Sequence, residues 1–161
     1  MTVIAAYTGT FDPITLGHVD VIRRTARLFG KVIVAVGASP SKQPMFELAE
    51  RIQLAEQSLA ELDNVSVEGF SGLVVDFARE HGVSVLVRGV RSVGDLDYER
   101  QMSVMNTHLA AEVDTAMLVP SPQYAHISST LVREIARLGG DIQALVPECV
   151  ASAMMEKIAR E

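Results

Sequence analysis

The sequence predicts a doubly wound, Rossmann-like α/β domain built on a parallel sheet of about five strands, and three observations lead there. Short apolar, β-rich runs alternate with helical patterns from one end to the other. That alternation is the mark of βαβ units, whose parallel sheet is covered by helices on both faces. The chain has 161 residues, 48% of them hydrophobic, which suits one domain with a buried core and argues against disorder. No linker, internal repeat or low-complexity stretch divides it, so residues 1–161 read as a single domain.

Val3–Thr8 reads as the first strand, because the N-terminus lacks the basic region, long apolar stretch and small-residue cleavage site of a signal peptide. Val19, Ile22, Ala26 and Phe29 then recur at helical spacing, followed by a second strand at Lys31–Ala38. Leu48, Ile52, Ala55 and Leu59 mark the next helix, ahead of strands at Val65–Glu68 and Val83–Val87. Tyr98, Met102, Met105 and Leu109 mark another helix, and Thr115–Val119 is the fifth strand. Pro120-Ser121-Pro122 and Gly139-Gly140 are turn signals, and helical patterns at Ser129–Leu138 and Glu148–Arg160 close the chain.

Composition narrows the function classes. With 14 basic and 20 acidic side chains and no Trp, a net charge of −6 makes the chain a poor general nucleic-acid binder. No apolar run approaches the ~20 residues that span a bilayer. The lone Cys149 excludes an internal disulfide framework, fits a reducing cytoplasm and reads as a small core residue. No Cys/His cluster has zinc-ligand spacing. Against an acidic background, Lys42, Arg88, Arg91 and Arg133 become phosphate ligands if they converge.

Ligands of open parallel sheets bind beyond the carboxyl ends of the strands. The five strands here run into Gly9–Pro13, Ser39–Lys42, Gly69–Gly72, Arg88–Arg91 and Pro120–Thr130, all on that edge. Neither the P-loop nor the dinucleotide glycine fingerprint is present. In their place the string from Gly9 to His18 leads straight into a helix, whose free N–H groups and partial positive charge suit an anion, with His18 in reach of a phosphate oxygen. The same string also fits a plain strand-to-helix turn with Thr15 as N-cap. Ser128, Ser129 and Thr130 start a helix and suit either capping or anion binding. By themselves Tyr98 and Glu99 read as packing and surface residues, and Met102, Met105 and Met117 as core or interface filler.

Thr15-x-Gly17-His18 resembles the (H/T)-x-G-H motif of the nucleotidyltransferase superfamily, and Ile127-Ser-Ser-Thr-x-x-Arg133 resembles its second signature. Within that superfamily the chain is similar to the bacterial phosphopantetheine adenylyltransferases. The resemblance runs through Ala38–Lys42, Val87–Arg91, Asp97-Tyr-Glu99 and Asn106-x-His108, and so covers essentially the whole chain.

This resemblance implies transfer of the adenylyl group of ATP to 4′-phosphopantetheine, giving 3′-dephospho-coenzyme A and pyrophosphate, with Mg²⁺. Because no carboxylate cluster lies in the five loops, the ion is expected to be carried mainly by phosphates and water, with no metal-ligating side chain assigned. Thr10 and Lys42 would hold the acceptor phosphate, Arg88 and Val74 would contact the acceptor, and His18 would stabilise the transition state at the α-phosphate. ATP would lie against Thr10, Phe11, His18, Gly89, Val90, Arg91, Glu99 and the run Tyr124, Ala125, His126, Ile127, Ser128, Ser129 and Thr130. The acceptor phosphate is already an anionic nucleophile, so positioning and electrostatics carry the reaction without a general base. The resemblance further implies a homohexamer under feedback by coenzyme A, while the charge, the single cysteine and the absence of long apolar runs lead to the expectation of a cytoplasmic chain with no nucleic-acid or membrane partner.

Two departures stand out. Thr8 replaces an expected proline, a change expected to alter loop stiffness alone, and the segment Gln123-Tyr-Ala-His126 lacks an expected Trp. Competing readings are a related nucleotidyltransferase with another phosphorylated acceptor, a non-catalytic ATP-binding regulatory module, and an assembly subunit.

Overall fold

Strand β1 (Ile4–Gly9) occupies the centre of the sheet because its residues 5–8 are all buried, which only a strand with neighbours on both edges and layers on both faces can achieve. The computed structural model describes residues 1–39 and 43–161. Around β1 lie β2 (Lys31–Gly37), β3 (Val65–Phe70), β4 (Val85–Gly89) and β5 (Asp114–Leu118), in the order β3-β2-β1-β4-β5, with every pair parallel. Tyr7 registers with Val34 on one side and Val87 on the other. Six α-helices complete the described chain: α1 (Leu16–Leu28), α2 (Leu48–Ser58), α3 (Val74–Glu80), α4 (Val93–Leu109), α5 (Ser129–Arg137) and α6 (Glu148–Ala159).

Alternation along the strands sorts the core into two layers. Ala5, Tyr7, Val34, Val36 and Val87 face a cluster completed by Val19 and Ile22 of α1, Leu54 and Ala55 of α2, Val132 of α5 and Val150 and Met154 of α6. Ala6, Ile33, Ala35 and Leu86 face the other side, where Val75, Phe77 and Ala78 of α3 cover them. The domain is thus an α/β sandwich with helices on both faces, as the alternating pattern predicts. No described helix is long and apolar enough to cross a membrane.

The structure moves several expected boundaries. β3 continues through Phe70 because that residue registers with Gly37 and its carbonyl accepts from Ala38 N–H at 2.9 Å. β4 begins at Val85, since Val83 N–H is spent closing the preceding helix on Ala78 O at 2.8 Å. The seven-residue α3 was not anticipated, being too short to show helical periodicity. Helix α4 forms as expected, but Tyr98, Met102, Met105 and Leu109 are exposed, and Glu99 is its buried residue. Met102 and Met105 are therefore not core filler within the single chain, and the reading of Glu99 as a surface residue is corrected. Cys149 is half-buried against the core, with its Sγ 3.5 Å from Ser58 Oγ.

Candidate active site

The chain winds from β1 outward to β3, then returns to the other side of β1 for β4 and β5. That reversal leaves a crevice between the carboxyl ends of β1 and β4, where doubly wound sheets take ligands. Two adjoining clefts open there. The first, of about 400 Å³, is lined by residues 7–12 of the first strand and loop, by His18, by Arg88, Gly89 and Arg91, and by Tyr124 and residues 127–130. The second, of about 550 Å³, has an apolar wall of Phe70, Leu73, Val74, Leu86, Met102, Met105 and Leu109. Thr8, Gly9, Thr10, Arg88 and Glu99 line both, so the clefts meet along that row. The exposed apolar stripe of α4 is the wall of a cavity.

Helix α1 begins at this junction with a reciprocal cap. Thr15 Oγ1 accepts from His18 N–H at 3.3 Å, and His18 Nδ1 accepts from Thr15 N–H at 3.0 Å. Capping and the proposed phosphate site are thus one construction. Because Nδ1 is an acceptor, the neutral ring carries its proton on Nε2, the nitrogen left free to donate. Burial pushes the His18 pKa down to about 4, with Arg91 and Arg88 adding to the effect. The ring is consequently a neutral, oriented hydrogen-bond donor. The Phe11 ring meets His18 edge-on at 5.0 Å between centroids. Phe11 itself is held at φ +50°, and a Cβ at Gly9 would stand 3.1 Å from its ring, so any larger residue there would push the ring aside.

Three of the four cations singled out from sequence converge on the first cleft: Arg88, Arg91 and Arg133. Each is already held. Arg88 gives Nε and Nη2 to the Glu99 carboxylate, both at 2.8 Å, and Nη1 to Thr8 O and Thr8 Oγ1, both at 2.7 Å. Thr8 is therefore more than a change in stiffness: its hydroxyl, which proline lacks, is a ligand of Arg88. Arg91 Nη1 donates to Ile127 O at 2.8 Å, and Arg133 donates to Asp12 O. At the start of α5, Ser128 Oγ caps Leu131 N–H at 3.1 Å while Ser129 Oγ donates to Pro13 O at 2.8 Å. These bonds tie the second signature to the first loop.

Among residues given roles by resemblance, Thr10, Phe11, His18, Gly89, Arg91, Glu99, Tyr124, Ile127, Ser128, Ser129 and Thr130 line the first cleft, and Thr10, Val74 and Arg88 line the second. Val90, Ala125 and His126 line neither, and Val90 is buried. Lys42 lies outside the described residues.

Sequence reasoning passed over two buried ionic residues that shape the junction. Arg51 is 1% exposed and donates to four main-chain carbonyls: Phe46 O at 3.0 Å, Thr10 O and Gly37 O at 2.7 Å, and Ala38 O at 3.2 Å. Asp12 accepts from Met45 N–H at 2.8 Å and Phe46 N–H at 2.9 Å. Together they fix the first loop to the segments flanking residues 40–42. A signal was available for Arg51, because it falls within the apolar stripe of Leu48, Ile52, Ala55 and Leu59.

A family model described as cytidylyltransferase-like matches residues 6–135. The chain is 52% identical over 158 residues to the phosphopantetheine adenylyltransferase of Thioalkalivibrio sulfidiphilus (strain HL-EbGR7), covering 98% of this chain and 99% of that one. It is 50% identical over 159 residues to the phosphopantetheine adenylyltransferase of Methylococcus capsulatus, covering 99% and 98%. Among solved structures it resembles a putative nicotinate-nucleotide adenylyltransferase from Vibrio parahaemolyticus, with a TM-score of 0.73, 18% identity and coverage of 100% and 97%. It also resembles a lipopolysaccharide core biosynthesis protein from Thermoplasma volcanium, with a TM-score of 0.54, 19% identity and coverage of 75% and 98%. At such identities the two structures speak for the fold alone.

Proposed function

The chain belongs to the cytidylyltransferase-like family, among its phosphopantetheine adenylyltransferases, and from that premise we propose that it transfers the adenylyl group of ATP to 4′-phosphopantetheine. The observation that carries the reading is the meeting of two unlike clefts at Thr10 and Arg88. One is lined by arginines and helix N-termini and suits a polyphosphate; the other has an apolar wall and suits a long, mostly uncharged arm. A phosphorylated acceptor lying in the second presents its phosphate to the first.

In the reaction an oxygen of the acceptor phosphate attacks the α-phosphorus of ATP. The new P–O bond forms as the bond from the α-phosphorus to the bridging oxygen breaks, and pyrophosphate leaves with those electrons. Neither partner needs deprotonation. The work left to the protein is to hold two anions in line and to stabilise the spreading charge. His18 Nε2–H, Arg91 and the N-terminus of α5 are suited to that task, with Thr10 and Lys42 on the acceptor phosphate.

The carboxylates of the first cleft are engaged: Glu99 by Arg88, Asp95 by the Arg91 N–H and guanidinium, and Asp12 by two backbone N–H groups. That donor set fits Mg²⁺ held through substrate phosphates and water, where it would screen the leaving pyrophosphate. We extend the proposal to a cytoplasmic homohexamer inhibited by coenzyme A. Exposed Val93, Leu96 and Val104 on α4 support burial against another copy, and coenzyme A shares the acceptor's arm.

The test is pyrophosphate release from ATP and Mg²⁺ with 4′-phosphopantetheine, nicotinamide mononucleotide or glycerol 3-phosphate as acceptor. Release confined to phosphopantetheine is expected. Release with a different acceptor would overturn the substrate, and ATP binding without release would overturn the chemistry.

A further inference from the structure

Tyr7 sits mid-strand in β1 and is 6% exposed, yet its hydroxyl makes no hydrogen bond among the described residues. A buried phenol ordinarily finds a partner for its O–H. The one wholly enclosed side-chain oxygen lacking a partner there is that of Thr115, so the Tyr7 hydroxyl is not wholly enclosed. The space it reaches is the arginine-rich cleft, which Tyr7 lines; the apolar cleft has no contribution from it.

The ring is fixed by its neighbours. Phe11 packs against it edge-on with centroids 5.5 Å apart, and the His18 ring lies 6.4 Å away. Above the hydroxyl is Gly89, where a Cβ would stand 3.3 Å from Tyr7 Oη. Any side chain at that position would crowd the oxygen, and glycine keeps it uncovered. Burial pushes the Tyr7 pKa up to about 12, against the opposing pull of Arg88 and Arg91. The hydroxyl therefore keeps its proton at every working pH and can donate. A donor already immobilised by packing pays little entropy to bind.

We propose that the Tyr7 hydroxyl is a contact for the nucleotide, donating to an anionic oxygen of the nucleoside triphosphate between His18 and Gly89. The cationic lining of this cleft selects a phosphate oxygen as the acceptor atom. The identity of the nucleotide rests on the adenylyl-transfer reading above.

Tyr7→Phe removes one oxygen and keeps the ring, so the core packing of β1 is preserved. ATP binding is measured by calorimetry without acceptor, alongside the melting temperature and steady-state kinetics. The variant is expected to melt like the parent and to bind ATP about tenfold more weakly, with the KM for acceptor within about twofold. A folded variant with unchanged ATP affinity overturns the proposal even if turnover falls, as does a loss confined to the acceptor. Parent protein that binds ATP but releases no pyrophosphate would sink the adenylyl-transfer reading and leave the Tyr7 comparison standing. Parent protein that binds no ATP would overturn both.

Discussion

Replacing Arg51 with methionine keeps most of the side-chain volume and deletes a cation that donates to four buried carbonyls. A hydrogen bond with one charged partner contributes roughly 1.5–3 kcal/mol. Opposing these is the cost of taking a guanidinium out of water, seen in the direction burial moves its pKa, below the usual arginine value. Removing the guanidinium leaves buried carbonyls without their donor, at roughly 1–3 kcal/mol for each group left unsatisfied, and after the offsetting desolvation a net loss of about 3–5 kcal/mol is expected, a large share of a total stability of about 5–15 kcal/mol. At roughly 2–4 °C per kcal/mol, the melting temperature should fall by about 10 °C.

Function should suffer unevenly. Gly37, whose carbonyl Arg51 holds, and Ser39, next to the held carbonyl of Ala38, line the apolar cleft and not the arginine-lined one, so on the proposed function the KM for phosphopantetheine should rise more than that for ATP. Arg51→Lys retains the charge and loses the planar fork, and should fall between parent and methionine variant in both respects. The assay pairs thermal unfolding followed by circular dichroism with pyrophosphate-release kinetics at saturating co-substrate. A loss of under about 1 kcal/mol in Arg51→Met would refute the clamp, because four unreplaced bonds cannot cost so little.

His18→Ala should lower kcat by roughly 10²–10³-fold with the fold intact, the range for loss of one transition-state donor; near-normal turnover would remove His18 from the reaction. Its pKa of about 4 also has a pH signature. Between the unfolded value of about 6.5 and 4, the unfolded chain binds a proton that the folded one refuses, so stability falls as pH drops through that window, by up to about 3 kcal/mol. His18→Gln should flatten that decline, whereas an NMR titration of His18 near pH 6.5 would contradict the neutral ring. Ser128→Ala deletes the N-cap of α5 and should cost about 1 kcal/mol, read as a melting shift of roughly 2–4 °C; an unchanged melting temperature would mean the cap contributes nothing.

The fold class was legible because strand and helix periodicity are local properties. The residues of β1 and β2 are apolar on both faces, as central strands of a covered sheet must be, and every expected strand is present within about two residues. The junction of the site was legible for a related reason: in a parallel sheet all strand ends open on one edge, so Thr10, Arg88 and the serines of α5 had to come near one another. What escaped was whatever depends on a partner distant in sequence. Short α3 has no period to detect, and its helicity is set by burial of Val75 and Phe77 against the sheet.

Sequence by itself determined the alternation of elements, the edge of the sheet on which the clefts open and the motif that puts His18 at a helix start. These follow from side-chain spacing and backbone chemistry within a few residues. Tertiary structure alone decided that the apolar stripe of α4 lines a cavity, that Glu99 is buried against Arg88, and that Arg51 closes on carbonyls from two loops. A charge's surroundings, and so whether it is a solvated surface group or a buried clamp, are set by the segments that fold against it.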